Sequence, residues 1–250
     1  MPAEPDLGVV IPAFNEAARI RDTLHKIHSY LSKQRYTTEI VVVDDGSTDE
    51  TARIAEEILT PLGGRVLSYS PNRGKGHAVR YGMLRACGRL LLFSDADLAT
   101  PIEELAALQK ALAEGADIAI GSRDVPGSKL IRRQSIIRET GGKLFNLFVR
   151  LLAVPGIRDT QCGFKLFTAE AARRIFPLCT VDNFSFDVEV LYLARKMGYR
   201  IAEVPVVWRH QEGSKVRIWR DGPCMFRTLL RIRMTRYDLK EPARSSADVI

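Results

Sequence analysis

Ile40-Val41-Val42-Val43 runs straight into Asp44-Asp45-Gly46-Ser47, and further on Leu90-Leu91-Leu92-Phe93-Ser94 runs into Asp95-Ala96-Asp97. Twice an unbroken apolar run ends abruptly in carboxylates, and that repetition decides the fold. Unbroken apolar runs of this length suit strands buried on both faces, the signature of a parallel sheet. Two further strands are expected at 7–11, closed by Pro12, and at 65–69. Helical stretches separate them: 16–31, a helix after Ser47 with Ser47 or Thr48 as its cap and Glu50 in its first turn, and 76–86. Strands alternating with helices imply an α/β fold, a Rossmann-like, mostly parallel sheet flanked by helices. In such sheets ligands bind outside the carboxyl ends of the strands. Those ends carry Asn15 and Glu16, Asp44 and Asp45, residues 72–76, and Asp95 to Asp97.

The second half continues the pattern with a helix at 101–114, a fifth strand at 117–121 and a turn-rich break at 124–128. An amphipathic helix is expected at 138–152, with Leu144, Leu147, Phe148, Leu151 and Leu152 on one stripe, and another helix at 187–197. Sheet-like material ends at 199–208. A last helix from about Pro223 alternates Phe226, Leu229, Leu230 and Tyr237 with Arg227, Arg231, Arg233 and Arg236. No linker divides the chain. The reading is a single domain over 1–240, with a nucleotide-binding half at about 7–100, an acceptor-binding half at about 101–240 and C-terminal amphipathic helices. Residues 241–250 read as a disordered tail.

Composition narrows the function classes. No run of about 18 uncharged apolar residues is present, so no transmembrane helix is expected. Glu4 and Asp6 stand where a signal peptide needs basic residues. Cys87, Cys162, Cys179 and Cys224 are scattered without a CxxC pair, which suggests neither zinc nor a disulfide framework, and a cytosolic, reduced protein is expected. Residues 1–125 carry 14 Lys and Arg against 18 Asp and Glu, residues 126–250 carry 23 against 12. The basic half is either a solvated surface or a surface for something anionic, such as a membrane or a phosphorylated substrate. Nucleic acid is not expected, because no stacking platform and no RRM, KH or helix-turn-helix signature accompanies the charge.

Asp95 and Asp97 carry the sharpest chemistry. On a strand end, residues two apart point the same way, so two carboxylates could hold Mg²⁺ or Mn²⁺ against a pyrophosphate. That cation would neutralise the charge growing on a departing nucleoside diphosphate. An Asp-x-Asp can also simply cap a turn. Asp44 and Asp45 suit a polar cleft or a helix cap. In Asn72-Arg73-Gly74-Lys75-Gly76 two glycines allow close backbone approach and the cations suit phosphate, without the spacing of a P-loop. Arg123, Arg133, Arg138 and Lys215 could hold a second anionic substrate, or act as surface ion-pair partners.

These motifs together are informative. Val10-Ile11-Pro12-Ala13-Phe14-Asn15-Glu16, Val43-Asp44-Asp45-Gly46-Ser47, Asn72 to Gly76 and Asp95-Ala96-Asp97 resemble the family 2 inverting glycosyltransferases of GT-A fold. Gly156-Ile157-Arg158-Asp159-Thr160-Gln161-Cys162-Gly163-Phe164-Lys165-Leu166-Phe167 is similar to the dolichyl-phosphate β-glucosyltransferases, as are Phe186-Asp187-Val188-Glu189 and Trp208 with Glu212-Gly213-Ser214-Lys215. The match covers roughly 7–235. It implies UDP-glucose as donor, a polyprenyl phosphate as acceptor and a β-linked glucosyl phospholipid as product, with Mg²⁺ or Mn²⁺ as cofactor. By position, Pro12, Phe14, Glu16 and Asp45 would contact the uridine, Lys75 would lie near the nucleotide, and Asp95 and Asp97 would hold the metal-diphosphate. Arg123, Arg133 and Arg138 would hold the acceptor phosphate, with Asp97, Arg123 and Arg138 closest to the chemistry. Ala99 stands where the related mannosyltransferases place a glutamine. With the first strand so near the N-terminus, membrane contact is expected from the helices at 138–152 and 223–237, and the protein is expected to sit peripherally on the cytoplasmic face of a membrane.

A phosphate acceptor has a second pKa near ~6 and is mostly a dianion at neutral pH, so it needs no general base. A hydroxyl acceptor would need one, and Asp187 and Glu189 are the carboxylates available, although a structural role for them fits better. The competing readings are the same fold with GDP-mannose or a soluble hydroxyl acceptor, and a non-catalytic nucleotide- or nucleic-acid-binding protein.

Overall fold

The computed structural model describes residues 4–131, 153–209 and 218–239. The expected helix at 138–152, the Glu212 to Lys215 motif and the tail at 241–250 lie outside the described residues, as do Arg133, Arg138 and Lys215. The chain begins β1 (Leu7–Ala13), α1 (Ile20–Leu31), β2 (Thr38–Asp44), α2 (Thr51–Leu59), β3 (Arg65–Ser68), α3 (Lys75–Met83) and β4 (Leu90–Ser94). It continues α4 (Leu105–Ala113), β5 (Ile118–Ser122), β6 (Lys129–Leu130), β7 (Phe164–Thr168), α5 (Ala169–Ile175), α6 (Phe186–Lys196), β8 (Ile201–Pro205), β9 (Val207–Trp208) and α7 (Ile218–Met234).

Seven strands make one sheet in the order β3-β2-β1-β4-β7-β5-β8, and β6 pairs with β9 beside it. All pairings in the large sheet are parallel except those of β7, which runs antiparallel between β4 and β5. The strand order reverses beside β1, which is hydrogen-bonded to both β2 and β4, and a crevice opens where neighbouring connections leave to opposite faces. The sheet therefore carries strands from both halves of the chain, with β4 of the first against β7 of the second. β7 was not anticipated as a strand.

Apolar spacing explains the layers. α1 buries Ile20, Leu24, Ile27 and Leu31, one stripe at helical period, and with α2 and α4 covers one face of the sheet. The other face is covered by α3, α5, α6 and α7. Every residue of α6 from Phe186 to Ala194 is buried, including Asp187 and Glu189. α7 begins at Ile218, with Pro223 inside it rather than at its start. Among its described side chains Thr228, Leu229 and Ile232 are buried, whereas Phe226 and Leu230 are 39% and 41% exposed.

The start of α2 differs from expectation. The residue preceding it is Glu50, and no side chain caps it there. Ser47 and Thr48 serve the neighbouring loop instead: Ser47 Oγ accepts from the Asn15 amide at 2.9 Å, and the Thr48 amide donates to Asn15 Oδ1 at 2.8 Å. The Glu16 amide donates to Thr51 Oγ1 at 2.8 Å. Hydroxyls that could cap a helix instead pin the loop after β1 against the loop after β2. Leu166 is fully buried in β7 at the seam of the sheet. Leu166→Ala is expected to lower unfolding free energy by about 2–5 kcal/mol, measured by denaturant titration, through lost burial and a cavity.

Candidate active site

The carboxyl ends of β1, β2 and β4 converge with the residues that lead into β7. Asp95 and Asp97 lie just past β4, in a turn rather than on the strand, so strand alternation does not align them. They act on each other all the same. Burial raises the Asp97 carboxyl above the ordinary range and the Asp95 charge raises it further, while the Ala99 amide, donating to Asp97 Oδ1 at 2.9 Å, pulls the other way. Just after them the backbone is strained: Leu98 has φ of +46°, a region that costs a branched side chain of order 1–3 kcal/mol. Such strain persists where the surroundings hold it, and active sites are a common location.

Lys75, first residue of α3, meets Asp95 Oδ1 at 2.6 Å and lies 5.4 Å from the Phe93 ring centroid. Burial alone would lower the Lys75 pKa; the carboxylates of Asp95, Asp187 and Asp97 outweigh it and hold the ammonium charged. Asp95 rests on Gly163. Its amide donates to the Gly163 carbonyl at 2.9 Å, and a Cβ at Gly163 would fall 2.0 Å from Asp95 Oδ2. No other residue type fits there. A small pocket opens beside Asp95, lined by Leu98, Ala99, Thr100, Gly163 and Trp208.

Asp95 and Asp97 fit a divalent cation. Two hard oxygen donors whose like charges Lys75 offsets only in part are what Mg²⁺ or Mn²⁺ would neutralise. Among the described residues no cluster of three or more His, Cys, Asp or Glu could hold a metal. The fit is therefore to a cation that shares its remaining positions with a substrate and water, the usual habit of Mg²⁺ beside phosphates.

The loop at 72–76 is built differently from the phosphate cradle that its glycines suggested. Asp45 is 3% exposed; its Oδ1 accepts from the Arg73 amide at 2.7 Å, and its Oδ2 from the Gly74 amide at 2.9 Å and Asn72 Nδ2 at 2.8 Å. Asp45, expected against uridine, thus clamps this loop. The next amides are engaged as well, Gly76 N–H donating to the Asp182 carbonyl at 2.8 Å. The glycines permit close approach of protein backbone: a Cβ on Gly74 would meet the Asp182 carbonyl at 2.5 Å, and one on Gly76 the Val181 carbonyl at 2.4 Å. The loop offers cations to an anion, and its amides hold the fold.

The loop after β1 holds the other expected donor contacts. Pro12 is buried within β1, Phe14 is half-buried, and Glu16 is ion-paired with Arg19 at 2.8 Å. Asn15 adopts φ of +51°, which asparagine tolerates better than most residues.

Arg123, expected at the acceptor phosphate, is paired with a carboxylate of its own chain. Its Nε and Nη2 grip Asp159 at 2.6 and 2.8 Å, and its amide donates to the same carboxylate at 3.0 Å. Asp159 is fully buried. The Nε–Nη2 edge of its guanidinium is occupied by a carboxylate, and its Cζ lies 5.4 Å from the Trp208 ring centroid. Arg123 fixes the 157–163 segment to the end of β5.

Two carboxylates that could have been bases are buried and engaged. Asp187 Oδ1 meets Lys165 Nζ at 2.5 Å, and Lys165 also donates to the Cys162 carbonyl at 2.5 Å. Burial raises the Asp187 carboxyl, with Lys165 and Lys75 pulling it back. Glu189 is fully buried and accepts four hydrogen bonds, from the Thr180 and Val181 amides, Thr180 Oγ1 and Tyr237 OH. The sequence reading did not single out Lys165 or the 180–182 segment. A lone lysine in the apolar run of β7 was the available signal for the first; 180–182 carries none.

The Glycosyl transferase family 2 model matches residues 8–176. The dolichyl-phosphate beta-glucosyltransferase of Dictyostelium discoideum is 38% identical over 240 residues, covering 91% of this chain and 73% of the relative. The Homo sapiens enzyme of the same name is 40% identical over 224 residues, covering 84% and 69%. In fold the chain is similar to glucosyl-3-phosphoglycerate synthase of Mycobacterium tuberculosis, at TM-score 0.68 and 22% identity over 92% of this chain and 81% of that one. A crystal structure of that synthase in complex with Mn²⁺, UDP-glucose and glycerol 3-phosphate superposes at TM-score 0.66 and 19% identity, covering 91% and 78%.

Lys165→Met is expected to cost about 3–5 kcal/mol in denaturant unfolding by leaving Asp187 buried and unpaired, and Lys165→Met with Asp187→Leu to recover most of it.

Proposed function

The chain belongs to glycosyltransferase family 2, closely related to the dolichyl-phosphate β-glucosyltransferases, and on that premise we propose that it transfers glucose from UDP-glucose to a polyprenyl phosphate of the dolichyl type. The chain is a hexosyltransferase. The product is a β-linked glucosyl phospholipid formed with inversion. One observation carries the acceptor class: the carboxylates a hydroxyl acceptor would need as base, Asp187 and Glu189, are buried and bound to Lys165 and to the 180–181 segment. A phosphate acceptor needs neither, since it is already largely ionised at neutral pH.

Asp95 and Asp97 would hold Mg²⁺ or Mn²⁺ against the donor diphosphate, where the cation would supply Lewis-acid stabilisation of the leaving group. The fold relative crystallised with Mn²⁺ and UDP-glucose supports this role. Lys75 adds a positive charge on the same side. Pro12, Phe14 and Glu16 line the uridine, and Asp45 serves it through the loop it clamps. Arg138, with Arg133, receives the acceptor phosphate, while Arg123 keeps the neighbouring segment and Trp208 in place. Attack by a phosphate oxygen in line with the departing UDP inverts the anomeric carbon.

The acceptor reading brings the enzyme to a membrane surface, peripherally and on the cytoplasmic face. No helix among the described residues is long and apolar enough to cross a membrane. α7 supports surface contact, with Phe226, Leu230 and Met234 exposed at successive helical turns beside exposed Arg227 and Arg231.

A second reading is favoured by the fold likeness to glucosyl-3-phosphoglycerate synthase: the same donor and metal with a soluble phosphorylated acceptor. Transfer of radiolabelled sugar from UDP-glucose, with GDP-mannose in parallel, to a short polyprenyl phosphate or to 3-phosphoglycerate separates the readings. Organic-extractable label with UDP-glucose, lost on Asp97→Ala or on removing the metal, is the expected result; water-soluble label alone would replace it with the second reading. Arg138→Ala is expected to abolish transfer while leaving UDP binding intact. Asp187→Asn is expected to keep the pH dependence of the wild type, whereas with an acceptor needing that base the variant would lose the acidic limb. Gly163→Ala pushes Asp95 aside and is expected to lower kcat/KM by about a hundredfold with little change in the acceptor's KM.

A further inference from the structure

α3 starts with the residue that meets Asp95, and what holds that start is the segment at 180–182. Its carbonyls contact the loop from behind: Asp182 O accepts from the Gly76 amide at 2.8 Å and the His77 amide at 3.4 Å. Val181 O and Asp182 O stand so close to Gly76 and Gly74 that no Cβ fits at either position. The segment has no regular hydrogen bonding of its own, being neither helix nor strand. Arg80 pairs with the Asp182 side chain at 3.3 Å, and Glu189 anchors the segment at Thr180 and Val181. The Glu189 carboxylate accepts from the Thr180 amide at 2.9 Å, the Val181 amide at 2.8 Å and Thr180 Oγ1 at 2.9 Å. Its fourth donor comes from far along the chain, Tyr237 OH at 2.9 Å, just past the end of α7.

These contacts form one continuous path of polar groups. It runs from Tyr237 through Glu189 to the 180–182 backbone, then to Gly74 and Gly76, and ends at Lys75 and Asp95. We infer that Glu189 is a positioning residue for the donor site, setting the place of the Lys75 loop through the 180–182 segment, and that Tyr237 couples the C-terminal helix to that setting. A carboxylate suits the task because only an acceptor with four lone-pair positions can take four donors in one buried place. Burial makes it demanding: remove one oxygen and a backbone amide is left without a partner, with no water to replace it. The inference rests on the reading of Lys75 and Asp95 as the diphosphate end of the donor site.

The test is calorimetric titration of the full chain with UDP in the presence of Mn²⁺, paired with thermal melting and steady-state kinetics. Glu189→Gln is expected to weaken UDP affinity about tenfold or more, and Tyr237→Phe about two- to tenfold, the loss of one or more hydrogen bonds. In both variants KM for UDP-glucose should rise more than kcat falls, with KM for the acceptor unchanged. Leu108→Ala, buried on the opposite face of the sheet, sets the effect of lost stability alone and should melt earlier with unaltered UDP affinity. If Glu189→Gln and Tyr237→Phe bind UDP as the wild type does, or no more weakly than Leu108→Ala, the inference is wrong. If the wild type itself fails to bind UDP, the donor-site reading falls and the inference with it.

Discussion

Lys165 and Asp187 meet at 2.5 Å inside the protein, the lysine 1% exposed and the second residue of β7, the antiparallel strand of the large sheet. Taking two charges out of water costs several kcal/mol for each, recovered only with good geometry and further hydrogen bonds. Here the further bond is from Lys165 to the Cys162 carbonyl, one residue before the glycine that carries Asp95. The pair joins β7 to α6 at a fixed point. From that point Gly163 is set beneath Asp95 on one side, and Glu189, one residue beyond Val188, is set beneath the 180–182 segment on the other. An ion pair is a poor source of net stability but a strong constraint on register, since a strand slipped by one residue would bury an unpaired ammonium on the wrong face.

The site is a place where loops are held by loops. Strands end at one edge, yet the groups at those ends mostly bind neighbouring segments: Asp45 the 72–74 amides, Asn15 the 47–48 turn, Arg123 the Asp159 carboxylate. Among the described residues, what is left around the crevice is a short set: Asp95, Asp97 and Lys75, with Trp208 beside Asp95. Two of these are like charges that act on each other, and one is a cation paired with Asp95. Around a metal-bound diphosphate, as proposed, such an arrangement would be preorganisation in its electrostatic form. Leu98, strained between the aspartates and the pocket, belongs to the same economy.

Most of the sheet could be read from residues alone, because Ile40 to Val43 and Leu90 to Phe93 are continuous apolar runs with carboxylates at their ends. β7 could not. Phe164-Lys165-Leu166-Phe167 places a lysine where a central strand should be apolar, and only the partner charge on α6, distant in sequence, makes that placement possible. Asp45 and Arg123 were visible as residues but not in their roles. Both are charged groups at strand ends, and whether such a group faces substrate or a neighbouring loop depends on amides and carboxylates elsewhere in the chain. The glycines of 72–76 show the same limit. Close approach was legible; that the approaching group is the 181–182 backbone was not. The Asp-x-Asp pair was found for a reason that the structure replaces, since the two carboxylates interact across a turn and not along a strand.

The central claim is that the nucleophile arrives already ionised, so that no carboxylate of the protein has to take a proton. It is tested most directly by the pH dependence of kcat/KM with a polyprenyl phosphate and with the matching methylene phosphonate, whose second ionisation lies higher than the ~6 of a phosphomonoester. The account predicts an acidic limb that moves upward with the acceptor's own pKa and is the same for both when plotted against the dianion concentration. An acidic limb that stays at one pH for both acceptors would place the titrating group on the enzyme and contradict the account.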